Sequence, residues 1–238
     1  MEEILGNVNS VESMGLVDGP GIRYVVFLQG CELRCLYCHN PETWDKNKNC
    51  TMISASELIK KIERFKSYFG KEGGVTFSGG EPLLQPKFLL ECLKLCKEKN
   101  INTAIDTAGV GFGQYDEILK LVDLVILDLK AVQEDDYKKI TGQSMERFNK
   151  FLADCQRLNK RLWLRQVIVP NINDNEANIA DLKQFISKIK NVEKVELLPY
   201  KTIGVHKYEN LKIKYRLEGV PDMDEKRCKE IEKLLLQN

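Results

Sequence analysis

Three cysteines lie within eight residues of the chain, in the sequence Cys-Glu-Leu-Arg-Cys-Leu-Tyr-Cys that holds Cys31, Cys35 and Cys38. Cysteine thiolates are the usual ligands of iron–sulfur clusters, and a 4Fe–4S cluster has four irons to ligate. Three closely spaced cysteines bind three irons and leave the fourth open to a small molecule. The spacing therefore predicts a 4Fe–4S cluster at which chemistry takes place, rather than one that only stores electrons.

Two other interpretations of this cysteine loop stay open from the residues alone. A zinc ion could bind the same thiolates with His39 as its fourth ligand, although structural zinc sites usually pair two-ligand turns from separate segments. The cysteines could also be small buried core residues, although their spacing is not helical and Gly30 and Pro41 beside them are typical of a loop. A zinc- or cluster-binding regulatory module without turnover is therefore the alternative to an enzyme.

The composition is typical of a large and nearly neutral domain. The chain has 238 residues, 43% of them hydrophobic, so it can bury a substantial core, and we expect residues 1–238 to form a single domain. Its 36 Lys and Arg residues balance 35 Asp and Glu residues, which argues against a nucleic-acid binder. No apolar run approaches the roughly 20 residues that span a bilayer, and no secretory signal opens the chain. We therefore expect a soluble, cytoplasmic protein with reduced thiols.

Most of the other cysteines fall on apolar faces of predicted helices. Apolar neighbours at helical spacing predict buried core positions for Cys92, Cys96, Cys155 and Cys228. Cys50 lies in a polar loop and has no clear role.

Strand-like and helix-like segments alternate along the chain. The predicted strands are Ile22–Gln29, Gly74–Phe77, Asn102–Asp106, Leu124–Leu129, Leu162–Val169 and Lys194–Leu198. The predicted helices are Ala55–Phe69 (with a capping box at Ser54 and Glu57), Pro86–Lys99, Tyr115–Leu121, Ser144–Asn159, Asn175–Lys190 and Asp224–Leu236. Six strands alternating with helices indicate a parallel sheet with helices outside, and six are too few for a closed eight-stranded barrel. We therefore expect an α/β fold, an open, partial (β/α)6 barrel.

Polar and reactive side chains follow successive predicted strands. The cysteine loop comes after the first strand and Ser78–Glu81 after the second. Asp106 and Thr107 end the third strand, and Asp128 and Lys130 end the fourth. Because the carboxyl ends of parallel strands form the active edge of α/β folds, segments far apart in the chain are expected to meet at one site.

The order of these motifs resembles that of radical S-adenosylmethionine (SAM) enzymes. It runs from Val-Asp-Gly-Pro-Gly-Ile-Arg (Val17–Arg23) through the cysteine loop to Ser-Gly-Gly-Glu (Ser78–Glu81). Within that superfamily, nearly the whole chain resembles the glycyl-radical-enzyme activases, most specifically at Asp106–Thr107, Val125–Lys130, Trp163–Arg165, Val192–Tyr200 and His206–Tyr208. Some activases carry a cysteine-rich insert after the first loop. This chain has only Cys50 there, so it resembles the one-cluster type.

The resemblance implies a partial (β/α)6 barrel of the radical SAM type and an activity that needs no catalytic residue beyond the cluster and its bound cofactor. Reductive cleavage of SAM at the cluster would give a 5′-deoxyadenosyl radical, which would take a hydrogen from a glycine of a partner enzyme under anaerobic conditions. The implied partner is pyruvate formate-lyase, with its glycine loop as substrate. Flavodoxin or ferredoxin would supply the electron to a monomeric activase. A small-molecule substrate or another glycyl radical enzyme is the alternative.

The resemblance also implies which residues hold the cofactors. The cluster would be ligated by Cys31, Cys35 and Cys38. Contact with SAM is implied for Tyr37, Cys38, His39, Gly79, Gly80, Glu81, Asp128, Leu129, Lys130, Arg165 and His206. A monovalent cation, Na⁺ or K⁺, would be bound by Asp106, Thr107, Asp128 and the carbonyl of Ile126, since oxygen ligands suit hard cations.

Two further expectations concern the surroundings of the site. Arg165 lies inside an apolar strand, where a charge is costly unless it is paired, so we expect a polar partner for it at the site. The irregular stretch Pro199–Met223 is expected to contact the partner enzyme. Arg23, Lys207 and Tyr208 are candidates for the partner-binding rim.

Overall fold

The strands of the chain form an eight-stranded sheet in the computed structural model, which describes residues 3–48 and 50–237. In chain order they are β1 (Leu5–Gly15), β2 (Arg23–Leu28), β3 (Thr51–Ser54), β4 (Gly74–Gly79), β5 (Asn102–Thr107), β6 (Leu124–Asp128), β7 (Leu162–Ile168) and β8 (Val192–Pro199). The helices are α1 (Ala55–Glu63), α2 (Pro86–Glu98), α3 (Tyr115–Leu121), α4 (Glu134–Thr141), α5 (Glu146–Arg157), α6 (Glu176–Ile186), α7 (Val205–Leu211) and α8 (Glu225–Leu236). Short 3₁₀ helices cover Pro41–Thr43, Lys66–Tyr68 and Pro82–Leu84.

The spatial order of the strands is β3-β1-β2-β4-β5-β6-β7-β8. The strands β2 and β4 to β8 run parallel, and these are the six strands that the sequence predicts. Within residues 3–48 and 50–237 no pairing joins β3 to β8, so the sheet stays open. The predicted open, partial barrel is confirmed.

Four elements were not predicted from the sequence. The edge strands β1 and β3 pair antiparallel at one side of the sheet, and β1 is half-exposed and polar, so it lacks a strand-like apolar run. The short helices α4 and α7 bury few apolar side chains, Tyr137 and Ile140 in α4 and Tyr208 in α7. Because α7 lies inside Pro199–Met223, that stretch is not irregular throughout. The predicted helix Ala55–Phe69 ends at Glu63, although its predicted cap at Ser54 is present.

The two faces of the sheet carry different layers. The face under the helices carries the main core, which includes the four cysteines predicted to be buried: Cys92, Cys96, Cys155 and Cys228. No helix among the described residues is long and apolar enough to cross a membrane.

The opposite face, which we call the inner face, carries a smaller apolar cluster. Its members are Ala104, Leu124 and Ile126, with Trp163 packed against them. Side chains alternate along a strand, so positions two residues further along project from the same face. The inner face of β5, β6 and β7 therefore also carries Asp106, Asp128 and Arg165, next to this apolar layer.

Candidate functional site

The cysteine loop, residues 31–38, follows β2 at the carboxyl edge of the parallel strands. Its backbone is tied to the end of α4, because Arg34 N and Leu36 N donate to the carbonyls of Thr141 and Ile140 at 2.7 and 2.9 Å. The loop thus has a defined conformation that rests on a helix the sequence did not predict.

The three cysteines lie in a mostly buried setting. Cys35 is buried, whereas Cys31 and Cys38 are partly exposed. Burial raises the pKa of the Cys35 thiol to about 11, although the nearby Lys130 ammonium favours the thiolate, and burial also raises the pKa of Cys31 and Cys38. Iron would therefore displace protons from these thiols on binding.

The geometry gives no support to a single zinc ion at this loop. Thiolates around one tetrahedral ion must converge on a point, whereas those that ligate separate irons of a cluster do not. Within the described ranges, no three His, Cys, Asp or Glu side chains are arranged to hold one metal ion. His39, the proposed fourth zinc ligand, instead has Nε2 at 2.9 Å from Lys201 O.

Two glycines bring the end of β4 against the start of the cysteine loop. Gly79 has a φ of +106°, and a Cβ on it would lie 2.3 Å from Leu28 N. A Cβ on Gly80 would lie 2.3 Å from Gly30 O. This close approach lets Gly80 N donate to Leu28 O at 2.8 Å and Glu81 N donate to Gly30 O at 2.9 Å. The glycines position the cysteine loop, and their contact with SAM stays a prediction.

The Glu81 side chain ties the segment after β4 to the end of β5. Its carboxylate accepts from Leu83 N at 3.0 Å, from Thr107 Oγ1 at 2.6 Å and from Ala108 N at 2.9 Å. The side chain is 1% exposed, and burial raises its pKa to about 7 despite these hydrogen bonds. Much of its acceptor capacity is used within the chain, and its contact with the SAM amine stays a prediction.

A network of charges lies on the inner face at the strand ends. Arg165 Nε donates to Glu196 Oε2 at 2.8 Å, and Arg165 Nη1 lies 3.9 Å from Asp106 Oδ2, so the predicted polar partners of Arg165 are confirmed. Ser78 Oγ also donates to Asp106 Oδ2, at 3.1 Å. Burial raises the pKa of Asp106 to about 6, and the neighbouring Asp128 carboxylate adds to this effect while Arg165 opposes it.

Lys130 connects this network to the cysteine loop. Its Nζ donates to Asp128 Oδ2 at 2.7 Å and lies 5.7 Å from the centroid of the Tyr37 ring. Burial alone would lower the pKa of Lys130, but Asp128, Cys35 and Tyr37 raise it well above its ordinary value. The Tyr37 hydroxyl is buried and has no hydrogen-bond partner in the described chain. Leu129 is buried in the main core and donates its N–H to Arg165 O at 2.7 Å.

The segment after β8 closes over the cysteine loop on one side. The Tyr208 hydroxyl donates to Cys38 O at 2.9 Å, and the side chain is 3% exposed, so Tyr208 supports the loop instead of lining an exposed rim. Lys207 Nζ donates to Glu42 Oε1 and is partly buried. His206 is exposed, and its Nδ1 contacts Ile203 O in the same segment, so its contact with the cofactor stays a prediction.

The expected rim position of Arg23 is wrong. Arg23 begins β2, at the end of the strand opposite the cysteine loop, and it is fully buried. Its guanidinium donates to Thr76 Oγ1 at 3.0 Å, to Val75 O at 2.5 Å and to Asn102 Oδ1 at 2.8 Å. Such a buried charge with a full set of acceptors is structural.

Comparison with known proteins decides the family. The profile of the Radical SAM superfamily matches residues 25–182. The chain is 55% identical over 233 residues to the pyruvate formate-lyase-activating enzyme of Clostridium pasteurianum, covering 98% of both chains. The chain belongs to the family of pyruvate formate-lyase-activating enzymes, within the radical SAM superfamily.

Other relatives of these activating enzymes agree with this placement. The activating enzyme of Streptococcus mutans is 42% identical over 246 residues, covering 98% of this chain and 92% of that one. Streptococcus suis SuiB, in its structure with the precursor peptide SuiA, has a TM-score of 0.66 at 19% identity over 88% of this chain and 44% of that one, a similarity of fold alone. Membership of the superfamily implies a 4Fe–4S cluster and SAM.

The residues present fit these two groups. A single loop supplies three cysteines, as a cluster with one open iron requires. Lys130 provides a buried cation beside Cys35, where it favours a thiolate ligand. The unpaired Tyr37 hydroxyl is a polar atom that the chain itself leaves unsatisfied next to this loop.

Two participants were not singled out as site residues from the sequence. Glu196 pairs with Arg165, and Ser78 donates to Asp106. Arg165 and Glu196 meet because β7 and β8 pair in parallel with these two residues opposite each other. That pairing depends on strand register, which the sequence alone does not determine.

Proposed function

We propose that the chain activates pyruvate formate-lyase under anaerobic conditions by generating a glycyl radical on it. The observation that carries this proposal is 55% identity to an activating enzyme over 98% of the chain, with Cys31, Cys35 and Cys38 together at the strand-end edge. Reductive cleavage of SAM at the 4Fe–4S cluster supplies the 5′-deoxyadenosyl radical that takes the glycine hydrogen. The chain acts as an enzyme by binding, orienting and shielding these groups.

The ligand roles of the site residues are part of the same proposal. Cys31, Cys35 and Cys38 ligate the cluster. SAM is held by the remaining predicted residues around the loop and strand ends: Tyr37, Cys38, His39, Gly79, Gly80, Glu81, Asp128, Leu129, Lys130, Arg165 and His206. Among these, Lys130 has the strongest physical support, because its buried ammonium lies beside both Asp128 and Tyr37 and suits a carboxylate or ribose oxygen.

A monovalent cation, Na⁺ or K⁺, is proposed between Asp106 and Asp128. Burial and the neighbouring Asp128 carboxylate raise the pKa of Asp106, and a bound cation would offset the cost of this buried negative charge. Ile126, between the two strand ends, would contribute its carbonyl. The Thr107 hydroxyl already donates to Glu81 and accepts from Gly109 N, so Thr107 would also contribute its carbonyl.

The remaining expectations concern the context of the enzyme. We propose that it acts as a monomer, receives its electron from flavodoxin or ferredoxin and works in the cytoplasm, where its eight cysteines stay reduced. We further propose that residues 1–238 act as a single radical SAM domain. A continuous core from β1 to α8 supports this view.

The decisive experiment is anaerobic electron paramagnetic resonance after mixing reduced protein, SAM and pyruvate formate-lyase. We expect a glycyl-radical doublet that requires all three components. Cleavage of SAM without the doublet would keep the radical chemistry and reject this partner. Absence of both, with a verified intact cluster, would refute the proposed activity in favour of a binding module.

A further inference from the structure

An exposed aromatic ring lies close to two cations beside the cysteine loop. Phe112 is 60% exposed, with Lys46 Nζ at 5.1 Å and Arg147 Cζ at 5.6 Å from the centroid of its ring. Arg147 Nη1 and Lys46 Nζ also lie 2.8 and 3.6 Å from the carboxylate of Glu32. We call these three residues, Lys46, Phe112 and Arg147, the Phe112 clamp.

The clamp is attached directly to the cluster-binding segment. The two cations of the clamp pair with the carboxylate of Glu32. Glu32 directly follows Cys31, a predicted cluster ligand. Cys31 is itself partly exposed. A redox partner on this surface would therefore have a short path to the cluster.

Further cations continue this surface along the cysteine loop. Arg34 is exposed, lies 4.7 Å from the centroid of the Trp44 ring, and donates to the carbonyls of Cys31 and Leu33 at 2.8 Å. Arg216 donates in turn to Arg34 O. Four cations, Lys46, Arg147, Arg34 and Arg216, thus lie near one carboxylate, that of Glu32, whereas the chain as a whole has a formal charge of only +1. Arginine and aromatic side chains are also enriched at the energetic centres of protein interfaces.

The position of the clamp separates it from the open side of the barrel. Phe112 follows β5, which lies inside the strand order, whereas the open edges of the sheet are β3 and β8. A folded partner whose glycine loop must reach the inner face is expected to enter at the open side, near α7. Phe112 thus lies away from these open edges, whereas Arg34 contacts Trp44, which packs against Tyr208 of α7, so we expect the carrier and the glycine-bearing partner to bind in turn.

We propose that the Phe112 clamp, with Arg34 and Arg216, is the docking surface of an acidic one-electron carrier protein. The proposal rests on the proposed function, since it needs a cluster at the cysteine loop. In the docked complex the reduced carrier loses one electron and the oxidised cluster gains it, with no other co-reactant. Complementary charge accelerates such encounters by about ten- to a thousand-fold at low salt, and electron-transfer interfaces are typically small and short-lived.

The test compares a protein donor with a small one. The variant Lys46→Gln/Phe112→Ala/Arg147→Gln and wild type are reconstituted anaerobically, and 5′-deoxyadenosine formation from SAM is followed with reduced flavodoxin or with dithionite. A matched control, Lys97→Gln/Lys120→Gln, removes two cations at the opposite end of the sheet, where they border a cavity of about 430 Å³. We expect the clamp variant to lose about tenfold in rate with flavodoxin at low salt and to match wild type with dithionite, with the control unchanged for both donors.

Two other results would overturn the docking proposal. An equal loss with both donors would mean that the clamp supports the cluster itself. No loss with either donor, or a loss that persists unchanged at high salt, would remove the electrostatic docking. If wild type with a full cluster forms no 5′-deoxyadenosine with dithionite, the proposed function fails instead, which separates the two failures.

Discussion

The Glu81 carboxyl provides a test of how burial competes with hydrogen bonding. Its pKa is raised from 4.5 to about 7 because burial outweighs the donors from Leu83, Thr107 and Ala108. The folded state therefore binds this proton more tightly than the unfolded chain does. The stabilisation that results is fully present below pH 4.5 and is lost as the pH rises through about 7.

The magnitude follows from the size of this shift. A change from 4.5 to about 7, at about 1.4 kcal/mol per unit, corresponds to about 3.5 kcal/mol of unfolding free energy over the whole titration, of which wild type loses about 2.5 kcal/mol between pH 5 and pH 8. A Glu81→Gln variant cannot titrate there. The free-energy cost of this substitution relative to wild type should therefore fall by about 2.5 kcal/mol across that range.

The assay is urea unfolding of the cluster-free protein at pH 5 and pH 8, under reducing anaerobic conditions. Other groups, such as Asp106, titrate in both proteins and cancel in the difference. Glu81→Ala is the control, because it also lacks the proton and should show the same fall with pH. It should be less stable than Glu81→Gln at both pH values, since it leaves the buried N–H groups of Leu83 and Ala108 unpaired at about 1–3 kcal/mol each. A difference that stays constant or grows with pH would refute the reasoning.

Three further predictions concern other parts of the chain. Arg23→Met should lower the free energy of unfolding by about 3 kcal/mol, because several buried acceptors lose their donor. The iron content after reconstitution should stay at the wild-type level. A loss of stability below about 1 kcal/mol would contradict the structural role of Arg23. Cys35→Ala should lose iron and SAM cleavage. Cys92→Ala, in the core, should keep both but lose about 1–2 kcal/mol of unfolding free energy in urea. Iron retained by the Cys35 variant would rule out this ligand set. Lys130→Met should raise the KM for SAM at least about tenfold without loss of iron, and an unchanged KM would exclude Lys130 from the SAM site.

The parallel part of the fold is predictable from the sequence because its strands are short apolar runs between amphipathic helices. The six predicted strands match β2 and β4 to β8, and the helix from Tyr115 to Leu121 has the predicted bounds. The edge strand β1 is not predictable in this way, because one side of it faces solvent and its residues are largely polar. The helix α4 has eight residues, half of them exposed, so the buried face of Tyr137, Ile140 and Thr141 is too short a pattern to predict a helix.

The site divides in the same manner. Its location follows from the rule that parallel strands present their carboxyl ends at one edge, and the pairing of Arg165 follows from the cost of an unpaired charge in an apolar strand. The partners themselves do not follow from these rules. The assignment of Glu196 to Arg165 depends on register, and the burial of Arg23 depends on the acceptors that β4 and β5 happen to present.

The open sheet has a consequence for solubility during folding and storage. A closed barrel has no free strand edges, whereas the described part of this open sheet has two, at β3 and β8, and free edges invite pairing between molecules. The chain limits both: β3 is four residues long, and β8 carries the charged residues Glu193, Lys194 and Glu196. Glu196, described above as a partner of Arg165, thus also helps Glu193 and Lys194 to protect this edge, and replacing these charges with apolar residues would promote aggregation.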